Sequence, residues 1–267
     1  MNVNEINEAL VVGNLRAKGL FPHLEDLSKN TYVFKINFGL PKIPLEPGVI
    51  LLCGARQYGK STWLEQQLKM TIQKYKPGSA LYLNGDEIKN NQDLYESIRK
   101  TIPLFNPNAP IKRLFIDEIT AVKDWIKTLK RLIDAGELRN ILIVMTGSKS
   151  TQLRRGVERL PGRKGKLHRT SYYFTPVSYK EFKRVCGQQL GKKTLHTYLI
   201  SGGCPIACNE LATNNRLPEY IPEMIRDWIY GECVSSGRQR SSLLAVMDTL
   251  IKTGGNPCGQ AKLARES

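Results

Sequence analysis

Four short apolar runs alternate with longer amphipathic stretches in the middle of the chain, and this alternation restricts the fold more than any other feature. The runs cover residues 49–53, 80–84, 113–117 and 141–145. None of them alternates apolar with polar residues, which is typical of strands buried on both faces of a parallel sheet. Because helical periodicity fills the intervals, the pattern predicts an α/β domain with a mostly parallel sheet flanked by helices.

The segments on either side of this region have other patterns. A short helix is predicted near residues 5–15, and the β-branched and aromatic residues of 31–38 (TYVFKINF) indicate a strand. Residues 169–174 (RTSYYF) indicate a fifth core strand. After Pro176 only helical patterns follow, so residues 176–267 are predicted to form a smaller all-helical region.

Composition narrows the class of protein. No apolar run approaches the length of a membrane span, and the polar N-terminus is unlike a signal peptide. We therefore expect a soluble, cytoplasmic protein without a membrane partner. Cys204 and Cys208 lack a second pair of Cys or His residues nearby, so the sequence does not predict a structural zinc site.

The stretch CGARQYGKSTW carries the first chemical signal. Two glycines five positions apart, then a lysine and a hydroxyl residue, fit the phosphate-loop pattern, with a buried strand before it and a helix after it. Such a loop points successive N–H groups at phosphate oxygens, and the helix N-terminus adds partial positive charge. The predicted nucleotide contacts are Gly54, Ala55, Arg56, Gln57, Tyr58, Gly59, Lys60, Ser61 and Thr62.

Within this loop Lys60 is predicted to reach the β- and γ-phosphates, and the Ser61 hydroxyl to bind Mg²⁺. The run RLFIDE supplies the complementary carboxylates at the end of the third predicted strand. Asp117 is the predicted metal ligand, and Glu118 is the predicted base that activates a water molecule. A helix cap is the alternative reading of an isolated Asp-Glu pair, but a pair downstream of a phosphate loop favours the metal and base roles.

Two further segments carry signals that the residues alone leave open. Thr146 and Ser148, in MTGSKS, are either a γ-phosphate sensor at a strand end or an ordinary polar turn. Residues 153–193 hold twelve basic residues and two glutamates, which gives this window +10 of the formal net charge of +16. Such a window either attracts phosphate groups, of a nucleotide or a nucleic acid, or forms a solvated basic face.

Across residues 45–210 the chain resembles the archaeal and bacterial AAA-type P-loop ATPases whose core precedes a domain of unknown function. The resemblance rests on several motifs in order: GARQYGKST, LYLNGDE, RLFIDEIT, DWIKTLKRLID, ILIVMTGSKS, RLPGRKGK, TPVSYKEF and YLISGGCPIA. It implies a five-stranded sheet in which the strand ending at Thr146 lies between the phosphate-loop strand and the Asp117 strand. It also implies ATP and Mg²⁺ as ligands.

The resemblance further implies roles and boundaries. Thr146 and Ser148 fall at the sensor position. Arg159 or Arg163 would compensate γ-phosphate charge in the same subunit or in a neighbouring one of a homo-oligomer, or both would belong to a nucleic-acid face. The implied domains are an N-terminal extension (1–47), a P-loop ATPase core (48–175), a helical lid (176–240) and the start of a winged-helix region (241–267). Family members usually continue further, so we interpret the end at residue 267 as a natural truncation or the end of a fragment.

Three functions remain open on this evidence. The leading prediction is magnesium-dependent ATP hydrolysis as a switch or motor coupled to a partner, for which DNA is a candidate. The second is a nucleotide-gated nucleic-acid-binding regulator with little turnover, favoured by the basic window. The third is a P-loop phosphotransferase, for which the sequence shows no acceptor-binding motif. ATP rather than GTP is implied only by the resemblance.

Overall fold

The computed structural model describes residues 1–36, 38–148, 167–235, 237, 239–254, 256–257 and 259–266. These residues form two compact units, Met1–Leu217 and Pro218–Ser267. The first unit contains the sheet and all of the predicted motifs that lie within the described residues.

A five-stranded parallel sheet organises the first unit, as the apolar runs predict. Its spatial order is β2-β3-β4-β1-β5, so β4 lies between β1 and β3. This is the order implied by the family resemblance. The strands are β1 (Gly48–Cys53), β2 (Ala80–Asn84), β3 (Arg113–Asp117), β4 (Leu142–Gly147) and β5 (Ser171–Tyr173).

Helices cover both faces of this sheet. Along β1, Val49 and Leu51 belong to one apolar cluster, and Ile50 and Leu52 belong to another on the opposite face. Burial on both faces explains why the runs lack polar alternation. The helices of the first unit are α1 (Val3–Val12), α2 (Pro22–Leu27), α3 (Lys60–Tyr75), α4 (Asn91–Thr101), α5 (Trp125–Asp134), α6 (Tyr179–Leu190), α7 (Thr194–Ser201) and α8 (Pro205–Asn214).

Helix α1 packs beside the outer strand β2. Its N-terminus has a complete capping box, in which Asn2 and Glu5 each accept from the other's backbone N–H. The side-chain amide of Asn7 donates to the Tyr82 carbonyl and accepts from the Tyr82 N–H, both at 2.8 Å. Asn7 therefore pairs with β2 much as a neighbouring strand would.

The predicted strand at residues 31–38 is wrong: the described part of this segment contains no strand. Two of its backbone N–H groups donate to helix side chains: that of Tyr32 to Asn209 Oδ1 at 3.0 Å and that of Lys35 to Glu181 Oε1 at 2.7 Å. Phe34 stacks on Phe182 of α6. Tyr32 and Phe34 thus pack on helices α6 and α8, and Phe38 stacks on Phe174, instead of entering the sheet as a strand.

The second unit consists of helices. They are α9 (Tyr220–Ser235), α10 (Arg240–Lys252) and α11 (Gln260–Glu266). The assignment of residues 241–267 to a winged helix, and of 176–240 to one lid, stays a prediction. In the part of the chain that the structure describes, no helix is both long enough and apolar enough to cross a membrane.

Candidate functional site

The predicted phosphate loop connects β1 to α3, as its sequence context requires. Gly59 directly precedes α3 with a φ of 82°, a left-handed conformation that glycine adopts without steric cost. Gly54 is needed for a different reason, because a Cβ there would lie 2.6 Å from Cβ of Phe174 beside β5. The two glycines thus allow a tight loop pressed against the sheet.

Lys60 is the first residue of α3, and its side chain turns back over the loop. Its Nζ donates to the carbonyl oxygens of Gly54 at 2.9 Å and Ala55 at 2.8 Å. The residue is only 6% exposed. Burial lowers the pKa of this ammonium, and the nearby carboxylates of Glu118 and Asp117 offset part of that effect. Among the described residues no carboxylate is bonded to this buried cation, which makes it a suitable partner for an anion.

The other loop residues surround this lysine. Arg56 and Gln57 are exposed, whereas Ala55 and Tyr58 are half-buried. Gln57 has a φ of 64°, so its backbone is also in the left-handed region. The remaining predicted contacts, Ser61 and Thr62, are half-buried in the first turn of α3.

The carboxyl ends of β3 and β4 bring the second and third motifs together. Asp117 ends β3 and is buried, and its Oδ1 accepts a hydrogen bond from the Thr146 hydroxyl of β4. The Glu118 N–H donates to Thr146 Oγ1 at 3.0 Å and to Asp117 Oδ1 at 3.1 Å. Because β4 also pairs with β1, these groups lie at the same edge of the sheet as the phosphate loop.

Glu118 is held by its neighbours on both backbone and side chain. Its φ of 43° is left-handed, which is uncommon for a residue with a Cβ. Its Oε1 accepts hydrogen bonds from Thr120 and from the N–H and hydroxyl of Ser148. Burial alone would raise the pKa of this carboxyl, but these hydrogen bonds outweigh it and leave the pKa below its ordinary value. The group is therefore a carboxylate at neutral pH.

The donor set at this edge also fits a magnesium ion. Mg²⁺ prefers oxygen ligands and is usually bound through one or two carboxylates together with substrate phosphates. Asp117 offers the carboxylate, and Ser61 the hydroxyl. Among the residues described, no three His, Cys, Asp or Glu side chains group so that they could hold a metal ion.

A sequence model of a known family covers this whole arrangement. The model, described as an AAA domain, matches residues 46–183, just over half of the chain. The chain belongs to this AAA domain family. The match includes the phosphate loop, the Asp117–Glu118 pair and the polar end of β4.

Two relatives of this AAA domain protein are the uncharacterized proteins MJ1637 and MJ1544 of Methanocaldococcus jannaschii. MJ1637 is 31% identical over 137 residues, which cover 50% of this chain and 27% of that protein. MJ1544 is 27% identical over 253 residues, which cover 90% of this chain and 54% of that protein. The chain thus spans about half, or less, of the length of these curated relatives.

Two solved structures have a similar arrangement of elements. The Walker-type ATPase PABY2304 of Pyrococcus abyssi gives a TM-score of 0.46 at 14% identity, covering 91% of this chain and 85% of that one. The Orc1 protein of Aeropyrum pernix, solved in complex with DNA, gives a TM-score of 0.42 at 13% identity, covering 98% of this chain and 75% of that one. Similarity at this level says nothing of activity or partners.

The predicted arginines of this AAA domain, Arg159 and Arg163, lie outside the described residues, as do all six of the twelve basic residues of the window that fall in 153–166. The described half lies mainly on α6 and the turn after it. Its exposed lysines are Lys180, Lys183, Lys192 and Lys193. Glu181 is the one acidic residue in the sequence from 167 to 209, and it pairs with Arg184 at 2.7 Å.

Two residues of the site were missed by the sequence analysis. Thr120 donates to Glu118, and Gly85 lies against the backbone of Asp117 and Glu118, where a Cβ would meet the Glu118 carbonyl oxygen at 2.4 Å. The available signal for Gly85 was its place directly after the β2 run. No sequence signal indicated Thr120, because its contact with Glu118 depends on the turn that follows β3.

Proposed function

We propose that this AAA domain protein binds ATP with Mg²⁺ and hydrolyses the bond between the β- and γ-phosphates. The observation that carries the proposal is the convergence of Lys60, Asp117 and Glu118 at the carboxyl edge of the sheet, beside the phosphate loop. A buried ammonium, a metal-type carboxylate and a second carboxylate are the groups that phosphoryl transfer to water requires.

Binding would use the phosphate loop as a cradle. The N–H groups of Gly54 to Thr62 and the start of α3 would face the phosphate oxygens. Lys60 would exchange its bonds to the Gly54 and Ala55 carbonyls for bonds to β- and γ-phosphate oxygens, which relieves a buried charge. Ser61 and Asp117 would hold Mg²⁺, which when bound neutralises charge on the phosphates.

Hydrolysis would use Glu118 as the general base. Its carboxylate accepts a proton from water as the water oxygen attacks the γ-phosphorus, and the bond to the oxygen bridging to ADP breaks. Ser148 would direct its hydroxyl group toward the γ-phosphate, whereas Thr146, whose hydroxyl donates to Asp117 Oδ1, would act through Asp117. Arg159 or Arg163 would compensate its charge, in the same subunit or from a second copy of the chain.

The test is magnesium-dependent release of phosphate from ATP by the wild type, Glu118→Gln and the control Glu46→Gln, which changes an exposed glutamate in the connector before β1. We expect Glu118→Gln to bind ATP within about 3-fold of the wild type but to turn over about 10²-fold more slowly or worse. The control should match the wild type. Equal loss of binding and turnover in Glu118→Gln would contradict the base assignment.

A second function is favoured by the exposed lysines on and after α6. We propose that this surface, called the α6 cationic surface and defined by Lys180, Lys183, Lys192 and Lys193, contacts the phosphates of double-stranded DNA. Adding DNA to the same assay separates the alternatives. Stimulated phosphate release indicates a DNA-coupled ATPase, whereas ATP-dependent DNA binding without turnover indicates a nucleotide-gated regulator.

A further inference from the structure

The carboxylate of Glu118 is held at one oxygen by two hydroxyl groups from different elements. Its Oε1 accepts from Thr120 Oγ1 at 2.5 Å and from Ser148 Oγ at 2.8 Å, with the Ser148 N–H at 3.0 Å. Thr120 belongs to the turn after β3 and is 2% exposed, whereas Ser148 follows β4. The two hydroxyls therefore approach the same oxygen from separate parts of the fold.

The backbone of Glu118 is fixed independently of these two bonds. Its N–H donates to Thr146 Oγ1 and Asp117 Oδ1, and its carbonyl accepts from the Ala121 N–H at 2.9 Å. Gly85 packs directly against that carbonyl. With the main chain held in this way, the direction of the carboxylate depends on the two side-chain hydroxyls and on the Ser148 N–H.

The two hydroxyls differ in what else they can bind. A serine hydroxyl has one proton to donate, so Ser148 cannot donate to Glu118 and to a γ-phosphate oxygen at once. Thr120 is two residues from Glu118 in the chain, and its hydroxyl already donates to Glu118. Binding of a phosphate by the Ser148 hydroxyl would thus remove one restraint on Glu118 and leave the Ser148 N–H and the Thr120 hydroxyl, of which Thr120 is the one side-chain donor.

We propose that Thr120 is the positioning residue for Glu118, which keeps the carboxylate directed at the attacking water once bound nucleotide engages the Ser148 hydroxyl. This inference rests on the proposed ATPase function and assigns a new residue to its site. Thr120 acts through Glu118 and does not itself contact the substrate. Loss of its hydroxyl should therefore slow turnover while leaving ATP affinity unchanged.

Thr120→Val and Thr120→Ser test this, because valine keeps the shape of threonine without the hydroxyl and serine keeps the hydroxyl. Thr128→Val is the matched control: Thr128 is buried on α5, and its hydroxyl donates to the Asn91 carbonyl, away from Glu118. ATP affinity, kcat and the unfolding temperature are measured for each variant. We expect Thr120→Val to lose about 10-fold or more in kcat with ATP affinity within about 2-fold of the wild type.

Thr120→Ser should recover most of the turnover, and Thr128→Val should lose stability without losing turnover. In a Glu118→Gln background, adding Thr120→Val should cause no further loss of kcat, because both changes act on one group. A Thr120→Val protein with wild-type kcat, or equal losses of kcat in the valine and serine variants, overturns this inference and leaves the proposed function standing. A wild type that binds ATP without hydrolysing it overturns the proposed function, and this inference with it.

Discussion

Lys60 carries a buried positive charge whose bonded partners, in this structure, are two neutral carbonyl oxygens. The bonds to Gly54 and Ala55 satisfy the ammonium geometrically but do not neutralise it. Burial lowers its pKa, and the nearby carboxylates of Glu118 and Asp117 offset only part of that effect. An anion placed in the loop would supply a countercharge in direct contact with Lys60, so we expect this charge to increase the affinity for a nucleotide.

The Lys60→Ala variant is expected to lose about 10²-fold or more in affinity for ATP, because it removes the charged hydrogen bonds to phosphate. Binding of a fluorescent ATP analogue with Mg²⁺ measures this. Lys74→Ala, an exposed lysine on the same helix, serves as the control and should bind normally. Unchanged affinity in Lys60→Ala would rule out the phosphate-loop assignment.

Gly85→Ala tests the contact behind Glu118. A methyl group at this position would lie 2.4 Å from the Glu118 carbonyl oxygen, so the backbone must shift, at a cost of about 1–3 kcal/mol. We expect a lower unfolding temperature together with slower ATP hydrolysis. Gly187→Ala is the control, since a Cβ there meets only the flexible side chain of Lys183, at 3.2 Å; alanine in this helix should stabilise by about 0.5–1 kcal/mol.

The sequence predicted the chemical groups of the site better than the contacts among them. The phosphate loop, Asp117, Glu118 and Thr146 were predicted because each motif occupies a fixed place at the end of a buried strand. The structure brings these groups together, but their roles stay predictions. The left-handed turn at Glu118 was not predictable, because glutamate has no preference for it. The contacts of Thr120 and Gly85 with Glu118 depend on that turn, so they were not predictable either.

The Glu65 carboxylate of the phosphate-loop helix α3 binds the start of helix α2. Glu65 of α3 accepts from the N–H groups of His23 at 3.3 Å and Leu24 at 3.0 Å, and its Oε1 lies 2.6 Å from His23 Nδ1. This hydrogen bond is the main reason that the pKa of His23 is raised above 6.5. The contact between the His23 imidazole and Glu65 therefore depends on pH, whereas the two backbone hydrogen bonds to Glu65 do not.

His23→Gln should remove only the contact between the imidazole and Glu65, which depends on pH. Because the pKa of His23 is raised in the folded state, its contribution is full below its ordinary value of 6.5 and is lost as the pH rises through the raised value. Near pH 6 the wild type should unfold about 1–2 °C above the variant. The difference is small because the His23 side chain is 51% exposed. At about pH 9 the two unfolding temperatures should be equal. His196→Gln, at an exposed histidine of α7, is the control for the comparison. A margin that grows with pH would contradict the prediction.

At the level of elements, buried strands were the easiest to predict. The four apolar runs lie within two residues of the observed strands β1 to β4, because continuous apolar sequence has few other uses in a chain of this kind. The error at residues 31–38 has the opposite cause. That segment's hydrogen-bond acceptors, Glu181 and Asn209, are more than a hundred residues away in the chain. Local pattern cannot reveal such partners.

At the scale of the molecule, the surplus of positive charge is unevenly distributed, with +10 of the net +16 in residues 153–193. Reversing Lys180, Lys183, Lys192 and Lys193 to Glu should weaken DNA binding and flatten its salt dependence, because phosphate contacts release counterions. The matched control reverses four exposed lysines elsewhere, which are Lys42, Lys89, Lys100 and Lys123. Equal weakening in both variants would indicate net charge alone, and would reject the α6 cationic surface as a DNA contact.

The outer strand β2 ends the sheet on the side that carries α1, and Asn7 occupies both backbone groups of Tyr82 there. An uncovered outer strand can recruit strands from other molecules and begin aggregation. At Tyr82 the two backbone positions that such a strand would need are already taken by a side chain of the same molecule. We therefore expect the N-terminal helix to hinder edge-to-edge pairing of β2 at Tyr82, a role separate from nucleotide binding.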